Sequence, residues 1–191
     1  LPIWTQQHRR PAPLPRRTID PHGDLAERIA AALPAHRRDR LIYFDATDRT
    51  QLYGYNPLTH VSEDRRALAA SGFLEILRKQ WDARSWCARM EHILRHVILA
   101  LLEERHATMA DIQRLLTDKI YRKTVAGRLA NPQVKAFWQK EYENYSYRYR
   151  AEAIAPIQNK IGAYLADPNL TRMLTQPEEP LRLRRVMDEG Q

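Results

Sequence analysis

One cysteine, Cys87, stands alone in 191 residues, so the chain forms no internal disulfide and Cys87 cannot make a metal site by itself. Its place in an apolar-periodic segment predicts a small core residue. Long apolar runs are missing too. The longest, Val97-Ile98-Leu99-Ala100-Leu101-Leu102, falls far short of the roughly 20 residues a bilayer crossing needs. The start, Leu1-Pro2-Ile3-Trp4, lacks a charged segment followed by an apolar one, so no signal peptide is expected and a cytoplasmic location is the expectation. No Gly-x-x-x-x-Gly-Lys-Ser/Thr loop occurs, which removes the backbone cradle and lysine that hold nucleotide phosphates. No nucleophile, base and orienting acid can be assembled from the spacings, so an independent small enzyme has little support.

What is present is a globular composition. At 43% hydrophobic residues the chain can bury one good core and that of a second small subdomain. The 31 Lys and Arg exceed the 23 Asp and Glu, for a net charge of +8, which favours encounter with nucleic acid, anionic lipid or an acidic protein. Arginine is far commoner than lysine. Its planar fork suits phosphate, although a GC-rich coding genome gives the same bias.

Residues 1–17 are rich in Pro and Arg, with Pro2, Pro11, Pro13 and Pro15 blocking helix and sheet, and read as a disordered segment. Arg17-Thr18-Ile19-Asp20 is a strand candidate, and Gly23-Asp24-Leu25 opens a helix with Leu25, Ile29, Ala32 and Leu33 on one face before Pro34. Leu41-Ile42-Tyr43-Phe44-Asp45 reads as a second, buried parallel strand. Residues 18–60 therefore predict a βαβ fragment. From Ser62 the period turns helical, with a cap at Ser62 and the stripe Leu68, Ser71, Gly72, Leu74 and Ile76. A long helix follows through Met90, Ile93, Val97 and Leu101. Shorter ones begin at Thr108, Asp118 and Pro132, and a last long one, with Pro156 as a kink, runs from about Tyr147 to Leu165. Residues 61–178 thus predict an all-α domain, and 179–191 a return segment. The fold class expected is mainly α with a small parallel βαβ element.

Asp20-Pro21-His22-Gly23-Asp24-Leu25, Tyr43-Phe44-Asp45, Asn56-Pro57-Leu58, and the helical blocks Arg89 to Arg95 and Glu152 to Lys160 together resemble the HerA/FtsK-like DNA-translocating ATPases. Within them the match is to the type IV secretion coupling proteins of the TraG/TraD group. The resemblance covers roughly Thr18 to Gly190. It implies part of a RecA-like α/β domain with an inserted all-α domain, ATP and magnesium as cofactors of the complete family protein, a hexameric ring and DNA as partner. Secretion or relaxosome proteins are further partners it allows. The Asp-Pro motif would lie near the nucleotide, while the phosphate loop and the Walker B acids would fall outside these residues. The chain is therefore expected to be a fragment without ATP turnover of its own. The alternative is a non-catalytic helical module that binds DNA or protein.

Two groups of site residues follow. Asp20, His22, Gly23 and Asp24 lie at the turn where an α/β fold presents polar groups, and the resemblance makes them nucleotide-proximal. Three convergent ligands would suit a metal, but Asp20 as a helix cap, Gly23 as the turn and Asp24 at the positive end of the helix is the simpler reading. The second group is cationic. The run Phe137 to Arg150 interleaves aromatics with cations, as single-strand binders do. Phe137, Trp138, Tyr142 and Tyr145 recur at helical spacing and predict core packing, which leaves Lys140, Arg148 and Arg150 as surface charge. With Arg89 and Lys160 from the helical blocks, these are the candidate nucleic-acid contacts. His92 and His96 share one helical face at zinc-site spacing, without a third ligand, and read as partly exposed side chains. Glu91 and Arg95, also four apart, predict a surface ion pair worth about 0.3–0.5 kcal/mol.

Overall fold

The structure, a computed structural model, describes residues 18–39, 41–50, 53–80, 86–175 and 179–182. The segments 1–17 and 183–191, for which disorder and a return segment are expected, lie outside the described residues. The chain divides into two compact units, one formed by Leu1–Gln51 with Leu181–Gln191 and the other by Leu52–Pro180. What is described is mainly helical.

In the first unit α1 spans Asp24–Ala32 and α2 Ala35–Arg38. Pro34 separates them as expected, since proline has no N–H to continue α1. The flanking strands of the expected βαβ element are not formed. Thr18–Asp20 and Leu41–Asp45 carry no ladder partner. After Tyr43 and Phe44 the chain turns at once, because the Asp45 carboxylate accepts from the Thr47 N–H at 2.8 Å and from its hydroxyl at 2.7 Å. A strand is stable only with a hydrogen-bonded neighbour, and a lone parallel pair is marginal. The apolar run supplies the side chains of a strand but no partner for its backbone.

The second unit is built around α4 (Ala88–Leu101), whose Met90, Ile93, Leu94, Val97, Ile98, Ala100 and Leu101 are buried. That 3-1-3-1-2-1 spacing covers more than one face, and α4 accordingly packs against α3 (Arg66–Gln80), α5 (Ala110–Thr117), α7 (Pro132–Ala136) and α8 (Tyr147–Ala166). Between α5 and α7 lies α6 (Lys119–Arg128), and α9 (Pro168–Thr175) follows α8. Residues Tyr53–Gly54 (β1) pair in parallel with Glu179–Pro180 (β2), a bridge of two residues each. Asn56 then fixes the following loop to the helices, donating from Nδ2 to the Ala107 carbonyl at 2.8 Å, and Leu58 is buried beside it.

Three local expectations change. The stripe of α3 is Ala70, Leu74 and Leu77, with Leu68 and Ile76 exposed. At about 100° per residue, Leu74 and Ile76 cannot share a face. Ser62 makes no side-chain cap and precedes a 3₁₀ turn over Glu63–Arg65. Cys87 is exposed, standing in extended conformation just before α4 rather than in the core.

Candidate nucleic-acid interface

Asn131 caps α7 by accepting from the Gln133 and Val134 N–H groups, and Pro132 takes the first helical position, where its missing N–H costs nothing. The helix then widens into a π turn over Phe137–Glu141, in which the Tyr142 N–H donates to the Phe137 carbonyl at 2.9 Å. The extra residue changes which side chains face inward. Phe137, Trp138 and Tyr142 become buried, while Lys140 and Glu141 face out. The aromatic run thus forms a ladder of ring contacts, Phe137 to Tyr142, Tyr142 to Tyr145 at 5.7 Å and Tyr145 to Tyr149 at 4.6 Å.

The two histidines of α4 meet its first rung. His96 stacks on Phe137 at 3.9 Å with 18° between the planes, and His92 stands edge-on to both rings. His92 Nε2 donates to Glu141 Oε1 at 2.9 Å, and the Tyr145 hydroxyl donates to the same oxygen at 2.5 Å. Those bonds, Tyr145's first, hold the Glu141 carboxyl below its usual range, and burial followed by Glu141 pushes the Tyr145 hydroxyl up. His96 Nδ1 donates to the His92 carbonyl at 2.8 Å, since a carbonyl only accepts. Burial lowers the His96 pKa below 6.5, so near pH 7 its Nε2 carries a lone pair. An open cavity of about 460 Å³ lies against this group, with Gln133, Lys140 and Asn144 on its wall.

Sequence reasoning sees His92 and His96 as a pair but not their link to Glu141, because the His92–Glu141 bond joins residues 49 apart. Among the described residues no group of three or more His, Cys, Asp and Glu converges to hold a metal ion. The Glu91–Arg95 pair is present at 3.1 Å, with Glu91 also accepting from Trp86 Nε1 at 2.7 Å.

The five candidate cations are not equivalent. Arg89 lies over the Tyr149 ring at 4.3 Å. Arg148, 90% exposed, pairs with Glu152 at 2.9 Å one helical turn on. Lys140 stands on the π turn. Arg89 meets Tyr149, Tyr149 meets Tyr145, and Tyr145 donates to Glu141; Lys140 precedes Glu141 and Arg148 precedes Tyr149 in the chain, and Tyr147 is 89% exposed. Arg150 does another job. It is half-buried, and its Nη2 donates to the Tyr142, Glu143 and Tyr145 carbonyls at 3.0, 3.3 and 3.4 Å while its guanidinium lies 4.9 Å from the Tyr142 ring centre. Lys160 lies 12 residues beyond Arg148 in the same helix, about 18 Å along its axis, and is not part of the group. The arginine that sequence reasoning missed is Arg122, buried at 2% exposure. A single arginine in a polar stretch carries no sign of burial.

Asp20, His22, Gly23 and Asp24 form a helix start. Asp20 Oδ2 accepts from the Leu25 and Ala26 N–H groups at 2.8 and 3.1 Å, and Oδ1 from the His22 N–H at 3.1 Å. Gly23 sits at φ 90°, a conformation a side chain would strain. His22 and Asp24 are exposed. The Ala26 bond above all lowers the Asp20 pKa, so the carboxylate is an anion at the positive end of α1. The donors a nucleotide phosphate would use there are thus committed to an internal carboxylate, and the donor set does not fit a phosphate.

No protein-family model matches the chain, and neither a curated protein nor a solved structure matches it.

Proposed function

We propose that the helical unit is a DNA-contacting domain, the all-α part of a translocase of the HerA/FtsK-like, TraG/TraD-like kind, and that Arg89, Lys140 and Arg148 meet the phosphates. The observation that supports this reading is the run of contacts from Arg89 through Tyr149 and Tyr145 to Glu141, with the exposed cations Lys140 and Arg148 each next to it in the chain. Cations that neutralise phosphates beside rings that stack bases are the two components of single-strand binding, and the net charge of +8 favours the encounter.

In this reading residues 18–60 are an edge of a RecA-like sheet. Ile19 at 95% exposure, with Leu25, Ile29, Tyr43 and Phe44 also exposed, supports it, since such side chains are covered when a sheet is completed. ATP and magnesium would belong to phosphate-loop and acidic residues that this sequence does not contain, and no step of hydrolysis is assigned to a residue described above. A ring of identical chains and docking of secretion proteins go with the same reading.

Fluorescence-anisotropy titration of labelled DNA across a salt series tests it. Binding should weaken linearly in log salt, with a slope of about −0.7 per phosphate neutralised on a single strand. Changing Lys140→Glu and Arg148→Glu together should flatten the slope by about 1.4. Unchanged affinity and slope in that variant would sink the proposal, and absence of binding at low salt would favour a helical module that docks protein.

A further inference from the structure

Arg122 has one nitrogen more than its internal bonds use. Its Nε donates to Glu143 at 3.1 Å and its Nη1 to the Leu115 and Leu116 carbonyls at 3.3 Å. Nη2 has no hydrogen-bond partner among the described residues, yet it is not one of the polar atoms sealed there without one. The side chain is buried, and what it shows to solvent faces a second cavity, of about 310 Å³, whose wall it shares with Lys123, Gln139 and Glu143. We propose that this cavity binds a free phosphate, inorganic or carried by a small molecule, with Arg122 Nη2, the Lys123 ammonium and the Gln139 amide each donating to a different oxygen. The site is independent of the DNA contacts.

Three donors suit a tetrahedral oxyanion, which has an oxygen for each, better than a planar carboxylate with two. Lys123 comes from α6 and Gln139 from the π turn. Both are exposed, and neither side chain has a hydrogen-bond or ion-pair partner among the described residues, so an anion takes their donors without breaking an internal bond. Arg122 is fixed in advance by its bonds and by the Tyr142 ring, whose centre lies 5.0 Å from the guanidinium, which lowers the ordering cost of binding. Buried Trp138 and Ala126 complete the wall, and an apolar backing strengthens the attraction between opposite charges. Glu143 is the one acid on the wall, and it is outnumbered. Burial pushes its carboxyl up, but Arg122, then Arg150 and Lys119, hold it below its usual range. With Lys123, four cations act around one carboxylate, a balance that favours an anion over a metal ion. The volume, at the lower end of the ~300–1,000 Å³ of small-ligand sites, has room for a phosphate and a small molecule that carries it.

The test is titration of the full chain with inorganic phosphate at constant ionic strength, followed by NMR at the Arg122 Nε–H. The resonance should move saturably with phosphate and require a higher concentration of acetate. The double variant Lys123→Ala, Gln139→Ala removes two donors and no internal bond, and circular dichroism checks that helix content is kept. It should bind phosphate about tenfold more weakly, the scale of a lost charge-assisted bond. A response that follows ionic strength alone, acetate bound as tightly as phosphate, or a variant with unchanged phosphate affinity overturns the assignment. Oligo-dT should leave the resonance in place. If oligo-dT moves it and displaces phosphate, the cavity takes a phosphate of the DNA backbone and the free-phosphate site is wrong. A chain that binds phosphate but no DNA removes the DNA interface and leaves this site standing.

Discussion

Arg122 and Arg148 show how one residue type serves two ends according to what surrounds it. Arg122 is buried, pairs with Glu143 at 3.1 Å, and donates from Nη1 to the Leu115 and Leu116 carbonyls at 3.3 Å. Removing it leaves Glu143 and those carbonyls short of a donor, so Arg122→Ala should cost about 3 kcal/mol, read by urea denaturation. Arg148→Ala, at an exposed pair, should cost no more than about 0.5 kcal/mol. Asp20 acts through backbone amides. Its replacement by Ala should speed hydrogen exchange at Leu25 and Ala26, with no nucleotide turnover to lose. If the purified chain turns over ATP and Asp20→Ala abolishes it, the capping role is the wrong one. His96 gives a pH dependence whose sign follows from burial. Its folded pKa is lowered below 6.5, so the unfolded chain takes up a proton more readily. Stability is full above pH 6.5 and declines as pH falls from there to the folded pKa. The bond to the His92 carbonyl and the Glu141 charge oppose the decline, and the His92 and Arg95 side-chain charges add to it. Denaturation midpoints at about pH 7.5 and about pH 5.5 should differ more for the native chain than for His96→Asn.

The helices are legible where the signal is local. Asp118 caps α6 by accepting from the Ile120 and Tyr121 N–H groups, and Asn131-Pro132 opens α7. Each is a residue whose chemistry acts within three positions, which is why sequence suffices to find it. Asn131→Ala should accordingly cost about 1 kcal/mol in a denaturation experiment. The π turn is not legible in this way. It depends on Phe137, Trp138 and Tyr142 reaching the core together, against rings and carbonyls supplied by α4 and α5, as when Trp138 Nε1 donates to the His96 carbonyl and Tyr142 to that of Leu116. Arg150 could not be recognised as part of that turn, since nothing in its sequence neighbourhood separates it from Arg148. Pro156 lies inside α8, which continues past it to Ala166. A proline there forgoes a backbone bond worth up to about 3 kcal/mol in helix stability, partly offset by the unfolded-state entropy it removes. Pro156→Ala should therefore raise stability, by about 1 kcal/mol net. A fall would mean that the half-buried ring packs better than a methyl group can.

At the scale of the whole molecule the division of burial matters most. Every buried apolar side chain among the described residues lies between Leu58 and Met173, and α1 and α2 bury none. The sequence pattern predicts apolar faces in both parts, and in the first it is right about the residues and wrong about their burial. Periodicity reports what could be covered, and the cover must come from elsewhere in space. Hydrophobic burial is the main favourable term in folding, so the stability of the chain should reside in the unit Leu52–Pro180. Expressed alone, that segment should unfold at the same temperature as the full chain within a few degrees, and with a similar dependence on urea, because the denaturant slope follows the surface exposed on unfolding. The short pairing of Tyr53–Gly54 with Glu179–Pro180 lies wholly inside it, so truncation leaves that bridge intact. A large drop in midpoint would require residues 18–50 to bury surface against the helices. A steeper denaturant slope in the full chain at equal urea midpoint would mean that they fold cooperatively with the helices and add stability in proportion to the slope. If neither occurs, the exposed Ile19, Leu25, Ile29, Tyr43 and Phe44 are left as an apolar surface whose cover must come from outside the helical unit, the arrangement an incomplete sheet edge requires.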